Sequence, residues 1–467
     1  MATKKTATYT SPVDMLSVIG ELEKVAKIQS ITLGTENRIS TGNLCLDLIL
    51  GGGITPGLVT FAGGEQSAKT TSAIAAMGAS VDQKVGFRTL WDAEGSSGSS
   101  TDYVSNIFRT MGVSADIEQL FGRREKGKYV QSPLVYYRDE GELKTFFDWT
   151  SALLRRLPDK RFEGGKWWYI FEKTRENQAA YKSTMDRAMS SANNGVYVPA
   201  EDGALQAFVI VDSWPSLLPA GLDDDDAKAG MALQAREFSR ELPRIKGKLR
   251  AKRVAILGIN QLREKPGVMY GSPFYEPGGQ ALKFLSDARL WFTARALSGV
   301  PFNPKGKGQI EEEPSVTVEG GVDTYRYIHV RAVKNKLSVP GRESWLRIWI
   351  QDANGDANGL DPVWDTFYAL SLTGQLTGKR TAMLLDLEQL GPAKKPINWQ
   401  EFKMLIVGSD DQRAWVLNKL GYGKMNLRRG LFKFSQSGVM EARYIANKLA
   451  AGKPEAAPAD EDEEDDD

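Results

Sequence analysis

The sequence predicts an α/β protein built on a mostly parallel sheet, and three features carry that prediction. Between about residues 39 and 350, short apolar runs alternate with helical stretches. Two of these runs, FVIVD and VAILGIN, are short, β-branched and bounded by polar residues, as strands buried on both faces are. A third, LVTFA, leads through GGEQSA into Lys-Thr-Thr and a helical stretch, so that strand, glycine-containing loop and helix follow one another.

The remaining elements are read in chain order. Residues 12 to 28, PVDMLSVIGELEKVAKI, place apolar side chains near helical spacing and predict an amphipathic helix within an N-terminal region, 1–37. The α/β core is expected over 38–350. A connecting segment, 351–395, leads to a small, mostly helical C-terminal domain over 396–450. Residues 451–467 have the composition of disorder.

Composition removes several function classes. The 467 residues hold one cysteine and one histidine, so a structural zinc site of the Cys/His kind cannot form. Cys45 lies in an apolar run and reads as a small buried residue, and His329, in YRYIHVRAV, reads as a strand residue. A general base is therefore expected to be a carboxylate. No run of about 18 apolar residues suggests a membrane span, and MATKKTATYT lacks the apolar stretch of a secretory signal. The expected location is the cytoplasm of a bacterial cell or of a virus-infected host. The net charge of +1 conceals an asymmetry: residues 460–467, DEDEEDDD, are all acidic, leaving 60 basic against 51 acidic residues elsewhere. Such a tail either solubilises the chain or mimics a polyanion at a basic surface. The C-terminal region offers one in Lys419, Lys424, Arg428, Arg429 and Lys433, interleaved with aromatic residues.

Phosphate chemistry is expected at residues 63–71, in Gly63, Gly64, Glu65, Gln66, Ser67, Ala68, Lys69, Thr70 and Thr71. Successive backbone amides and a helix N-terminus cradle phosphate. Lys69 would place a point charge on the β- and γ-phosphates of ATP, and Thr70 would hold Mg²⁺. The usual pattern G-x-x-x-x-G-K-[ST] carries a second glycine where this chain has Ala68. The loop is expected to tolerate alanine there as long as the position needs no positive φ. Asp212 ends the apolar run FVIVD, where a carboxylate would contact Mg²⁺ or its water. Asp92 and Glu94 end TLWDAE, where a carboxylate can orient or deprotonate an attacking water. The plainer reading of each acid is a helix cap or a surface turn.

These motifs resemble those of RecA-type homologous recombinases, viral ones included. STGNLCLDLILGGGITPG precedes the phosphate loop, and WDAE, VIVDSWPSL, INQLREKPGVMYGSP with GGQALKF, and VKNK follow in the same order. The resemblance spans roughly residues 38–350 and implies a RecA-like ATPase core with an N-terminal polymerisation helix. Its implied activity is ATP-dependent filament formation on single-stranded DNA and strand exchange with double-stranded DNA. By the resemblance Glu94 is the catalytic glutamate and Gln261 senses the γ-phosphate. Residues 222–231 match the first DNA-binding loop, with Met231 and Arg236 at its end. Residues 264–277 match the second, flanked by Arg263, Gly278 and Gly279. Lys334 and Lys336 match lysines that reach a neighbour's ATP, and Tyr103 matches an adenine-stacking position. Gly278 and Gly279 could offer amides to a DNA phosphate without side-chain obstruction.

Departures from the family leave alternatives open. Asp223 to Asp226 set four acids beside a proposed DNA loop, and two stretches, about 114–206 and 296–325, read as insertions. The aromatic run at 167–169 could stack bases, but packing of an inserted lobe is the simpler account. PRIKGKLRAKR, 243–253, reads as a solvated helix face. A ring-shaped helicase on the same core, or a nucleotide-regulated DNA-binding assembly protein without strand exchange, would share the phosphate loop. The glycine pair and the VKNK lysines favour the recombinase.

Overall fold

The computed structural model describes residues 38–95, 101–186, 190–192, 195–220, 227–264, 274–295, 317–318, 321–322, 324–351, 359–372, 376–379, 382–385, 398 and 402. The N-terminal helix, nearly all of 396–450 and the acidic tail lie outside these residues. So do 222–226 and 265–273 of the two expected DNA loops and most of 296–325.

A nine-stranded sheet organises the core. In chain order its strands are β1 (Gly57–Gly63), β2 (Phe87–Asp92), β3 (Tyr136–Arg138), β4 (Ala207–Asp212), β5 (Val254–Gln261), β6 (Ala288–Arg295), β7 (Thr324–Asn335), β8 (Glu343–Gln351) and β9 (Gly359–Leu360). Their order across the sheet is β9-β8-β7-β6-β1-β5-β4-β2-β3. From β6 to β3 every pairing is parallel, and β7, β8 and β9 add on in antiparallel fashion.

Alternate residues of the parallel strands feed two cores, because successive side chains point to opposite faces. On one face Val59, Phe61, Phe208, Ile210 and Leu257 pack with α1 (Leu44–Leu50), α2 (Lys69–Ser80), α3 (Thr101–Thr110) and α7 (Pro362–Leu372). On the other, Leu58, Val209, Val211 and Ile256 meet Phe146 of α4 (Leu143–Arg156) and Phe238, Ile245 and Leu249 of α5 (Ala227–Ala251). Burial on both faces explains why FVIVD and VAILGIN are nearly continuous in apolar residues. Cys45 is fully buried in α1. Asp365 of α7 accepts from the backbone N–H groups of Leu44 and Cys45 at 2.6 and 2.9 Å, capping α1 from a distant segment. His329 lies on β7 opposite Thr293 and Trp345, with Nε2 3.0 Å from Glu343 Oε2.

Of the stretch expected as an insertion at about 114–206, residues 158–203 form a compact unit of their own, whereas 114–157 build on the core. β3 extends the main sheet by pairing with Thr89–Trp91. The separate unit is a four-stranded antiparallel sheet, ordered Asp159–Glu163, Lys166–Glu172, Gly195–Ala200, Ser190–Ala192, with Tyr181 of the helix Arg175–Met185 against Phe171. Within it Trp167 packs on Phe162 and Trp168 on Tyr197, with ring centroids 5.5 and 6.2 Å apart. No described helix is long and apolar enough to cross a membrane.

The basic stretch 243–253 is more than a solvated face. Lys246 and Arg250 of α5 both pair with Asp287, whose side chain is 2% exposed. Asp287 Oδ2 also accepts from Leu58 N at 3.0 Å, and its backbone N–H donates to Leu58 O at 2.7 Å. Lys336 N donates to Asp287 O at 2.7 Å. One residue thus joins β1, α5, the start of β6 and the turn after β7. Asp287→Ala should lower stability by about 3 kcal/mol, because it leaves the Lys246 ammonium and the Leu58 N–H without their buried acceptor. Asp287→Asn, which retains an oxygen for Leu58, should lose less. Thermal and denaturant unfolding of the three proteins checks this, and an unchanged midpoint in the alanine variant would contradict it.

Candidate functional site

The parallel strands deliver their carboxyl ends to one edge. Gly63 of β1 lies in register with Gln261 of β5, and Asp212 of β4 with Asp92 of β2. Ligands of parallel α/β sheets bind outside that edge.

The loop from Gly63 to Ala68 closes onto α2. Gly63 must lack a side chain, since a Cβ would come within 2.4 Å of Phe292 O and 2.5 Å of Ser67 Oγ. Gly64, Glu65 and Gln66 face solvent, while Ser67 is buried and donates to Gly64 O at 2.8 Å. Lys69 Nζ bends back onto the same carbonyl at 2.6 Å and onto Ser67 Oγ at 3.2 Å. Burial lowers the Lys69 pKa, against the pull of Asp212, Glu94 and Glu65.

Ala68 departs from expectation. It is the N-cap of α2 at φ 64°, ψ 23°, in the left-handed region. The condition set on the sequence, that the position need no positive φ, is therefore not met. An L-residue there costs about 1–2 kcal/mol, which the closed loop absorbs. The glycine of the usual pattern is the sequence sign of such an angle, and Ala68 adopts it without that glycine.

Two carboxylates approach the loop by different routes. Thr70 Oγ1 donates to Asp212 Oδ2 at 2.8 Å, which joins the first turn of α2 to the end of β4. The Asp212–Ser213 peptide bond is cis. Glu94 is exposed, and its Oε1 accepts from Ser213 Oγ at 2.6 Å and Ser216 Oγ at 3.2 Å. Asp92 is buried beneath them and accepts from Tyr137 OH at 2.9 Å. The two serines and Tyr137 were missed as orienting groups. Ser213 and Ser216 could have been noticed in VDSWPS beside the acid, but Tyr137 is brought there only by the β2–β3 pairing.

Burial, with Glu94 and Asp92 nearby, raises the Asp212 pKa to about 7, although the Thr70 hydrogen bond and Lys69 oppose the rise. The donor set suits Mg²⁺ with a nucleotide phosphate: a hydroxyl and a carboxylate in contact, an ammonium nearby, and a loop closed at a helix N-terminus.

The other sequence candidates fall around this edge. Leu262 N donates to Gly63 O at 3.1 Å, so Gln261, which is exposed, sits beside the loop's first residue. The base of the 264–277 loop is fixed nearby. Arg263 pairs with Tyr275, and Asn260 Nδ2 donates to Pro277 O at 3.1 Å. Buried Glu276 binds Arg289 and accepts from Trp291 Nε1 at 2.5 Å. Gly278 and Gly279 have φ of 90° and 74° and open α6 (Gly279–Leu285). A Cβ on Gly279 would approach Ala235 Cβ to 2.8 Å, so packing and its left-handed φ both favour glycine there, while at Gly278 the left-handed φ is the reason. Met231 and Arg236 are exposed on α5, and Arg263 is exposed on its short strand. Tyr103 is half-buried, with its hydroxyl 2.5 Å from Thr71 Oγ1.

Lys334 and Lys336 stand apart from the phosphate loop of their own chain. Lys334 Nζ donates to the carbonyls of Lys283 and Phe284 at 2.6 and 2.7 Å, capping the end of α6. Burial, together with Lys336 and Arg289, lowers its pKa to about 8.

Residues 198–353 match the family model described as the RecA N-terminal domain. The RecA protein of Aquifex aeolicus is 39% identical over 137 residues, which is 29% of this chain and 34% of that protein. RecA of Thermus aquaticus is 36% identical over 167 residues, 36% of this chain and 42% of that protein. The chain therefore matches well under two thirds of these relatives' length. A solved RadB recombinase aligns over 69% of this chain and 98% of its own, with 16% identity and a TM-score of 0.38. The phosphate loop and Glu94 precede residues 198–353, so they stand on their own geometry.

Mg²⁺ held at Asp212 would require its carboxylate, and a carboxyl with a pKa of about 7 would have to lose its proton on binding. Affinity for Mg²⁺-nucleotide should rise with pH through about 7 and level off above it. Binding at pH 6.5 should release about three quarters of a proton, read as a buffer-dependent binding enthalpy. In the free protein the sign is opposite: stability from protonated Asp212 is full below about 4 and is lost as pH rises through about 7. A binding enthalpy independent of buffer would refute the linkage.

Proposed function

We propose that this chain, RecA-type in its core, is a cytoplasmic DNA-dependent ATPase. In this reading it forms helical filaments on single-stranded DNA and exchanges that strand into a homologous duplex. The observation that carries the reading is the shared sheet edge. The phosphate loop, Asp212, Glu94 and Gln261 meet there, and Gln261 leads within two residues into the anchored base of the 264–277 loop.

Bound Mg²⁺-ATP would supply the transferable γ-phosphoryl group and the charge that draws these side chains together. Lys69 would exchange Gly64 O and Ser67 for phosphate oxygens. Thr70 and Asp212, already in contact, would hold the metal. Glu94, kept at the rim by Ser213 and Ser216, would orient water and accept its proton. Gln261 would register the phosphate and shift the loop whose base it joins. Tyr103 would lie against adenine. Arg263, Arg236 and Met231, with the backbone at Gly278 and Gly279, would contact the DNA strand. Lys334 and Lys336, remote from their own loop, would complete the site of the next subunit in the filament and stabilise charge only when assembled.

Electron microscopy with single-stranded DNA and a slowly hydrolysed ATP analogue tests this directly. Helical filaments are expected, while closed rings or dispersed subunits would overturn the reading. Lys69→Ala should abolish nucleotide binding. Glu94→Gln should bind normally and turn over at least a hundredfold more slowly. Normal turnover in the glutamine variant would remove Glu94 from the chemistry.

Changing both Lys334 and Lys336 to alanine should reduce DNA-stimulated hydrolysis at least tenfold while leaving nucleotide binding by the isolated subunit intact. Full stimulated activity in that variant would place no lysine across the interface.

A further inference from the structure

The phosphate loop has an attachment that its motif does not predict. Its internal side-chain bonds converge on Gly64, where Ser67 and Lys69 both donate to the carbonyl. The apex residue Gln66 is exposed and left-handed, at φ 52°. Among the described residues one side chain bonds to it. Arg326 of β7, 260 positions away, donates through Nη1 to Gln66 O at 3.1 Å and to Gln66 Oε1 at 3.0 Å.

We propose that Arg326 is a positioning residue for nucleotide binding, holding the apex of the phosphate loop through Gln66. The inference rests on the loop being the nucleotide site. A phosphate cradle works by aiming successive backbone N–H groups inward, so its carbonyls must be held outward. Arg326 takes one of those carbonyls, that of Gln66. It fixes the side chain of the same residue and so opposes relaxation of the left-handed angle. A guanidinium suits this task because its donors keep a fixed geometry and its charge does not titrate. Loop order is thereby established before phosphate arrives, which lowers the ordering cost of binding.

The consequence falls on affinity rather than turnover, since the bonds of Arg326 go to Gln66 and not to Lys69, Thr70, Asp212 or Glu94. In the full chain, Arg326→Ala should weaken Mg²⁺-ATP binding and raise KM about tenfold, the scale of one charge-assisted hydrogen bond, with kcat within about twofold. Arg326→Lys, which can still donate to the carbonyl, should recover part of the loss. Gln66→Ala, which keeps the backbone acceptor, should weaken binding less than Arg326→Ala. A readout without nucleotide separates this proposal from the functional reading. Hydrogen exchange of the amides of residues 63–68 in the free chain should accelerate at least fivefold in Arg326→Ala. Unchanged exchange, or unchanged affinity in a variant with normal thermal stability, would overturn the positioning role. A fall in kcat at constant affinity would also overturn it, by making Arg326 a participant in the chemistry. Faster exchange in a chain that never binds nucleotide would uphold the strut and sink the nucleotide reading.

Discussion

Parallel pairing from β6 through β3 imposes a polarity on the molecule that its other features inherit. Strands that run one way end on one edge. With Gly63 beside Gln261 and Asp212 beside Asp92, the backbone alone places the start of a phosphate loop and three polar residues within reach of one another. No loop has to travel to assemble them. A parallel sheet must be covered on both faces, and the alternation of side chains between two apolar cores shows how that is met. The polar edge is the part of these strands that the helices leave open, which is why the chemistry collects there.

The opposite end of the sheet needs its own fastening, and Asp287 provides it. The residue accepts from the first turn of backbone in β1 and from two bases on α5, then offers its carbonyl to Lys336. A buried carboxylate so surrounded is favourable because each of its oxygens has a donor, whereas an unpaired one would be driven to take up a proton. Its position explains a feature the sequence left ambiguous. The run PRIKGKLRAKR has an apolar side, Ile245 and Leu249, and bases spaced so that Lys246 and Arg250 share one helix face four residues apart. In sequence that spacing is indistinguishable from a solvated stripe. Only the arrival of Asp287 after α6 separates the two.

What was legible in the sequence is what depends on local order. FVIVD and VAILGIN announced buried strands, and LVTFAGGEQSAKTT announced strand, loop and helix, because each is a run of neighbours. Asp212 could be placed at a strand end for the same reason. What was not legible depends on residues meeting from afar. Tyr137 reaches Asp92 because β3 pairs with β2, within a stretch that looked like an insertion. The separate unit at 158–203 was visible only as surplus length. Gly278 and Gly279, which could offer amides to a phosphate, are also favoured by their left-handed angles and, at Gly279, by the contact with Ala235.

One strand carries side chains toward both ends of the sheet. β7 carries Arg326 at the phosphate loop and Lys334 at the end of α6, eight residues on, or about 27 Å along an extended strand. β8 pairs with the strand from Thr324 to Arg331 and β6 from Tyr327 to Asn335, so its middle is held on both sides. At its far end cations gather: Lys336, Arg289 and Lys246 lie close enough to bear on Lys334, with Asp287 opposing them. Burial first, and then these cations, hold the Lys334 pKa down to about 8. Two backbone carbonyls occupy its ammonium in the free chain, but carbonyls are neutral and leave the excess charge in place. Lys246 and Arg289 already have carboxylate partners in Asp287 and Glu276, so Lys334 is the ammonium of this cluster whose bonds, among the described residues, go to neutral carbonyls.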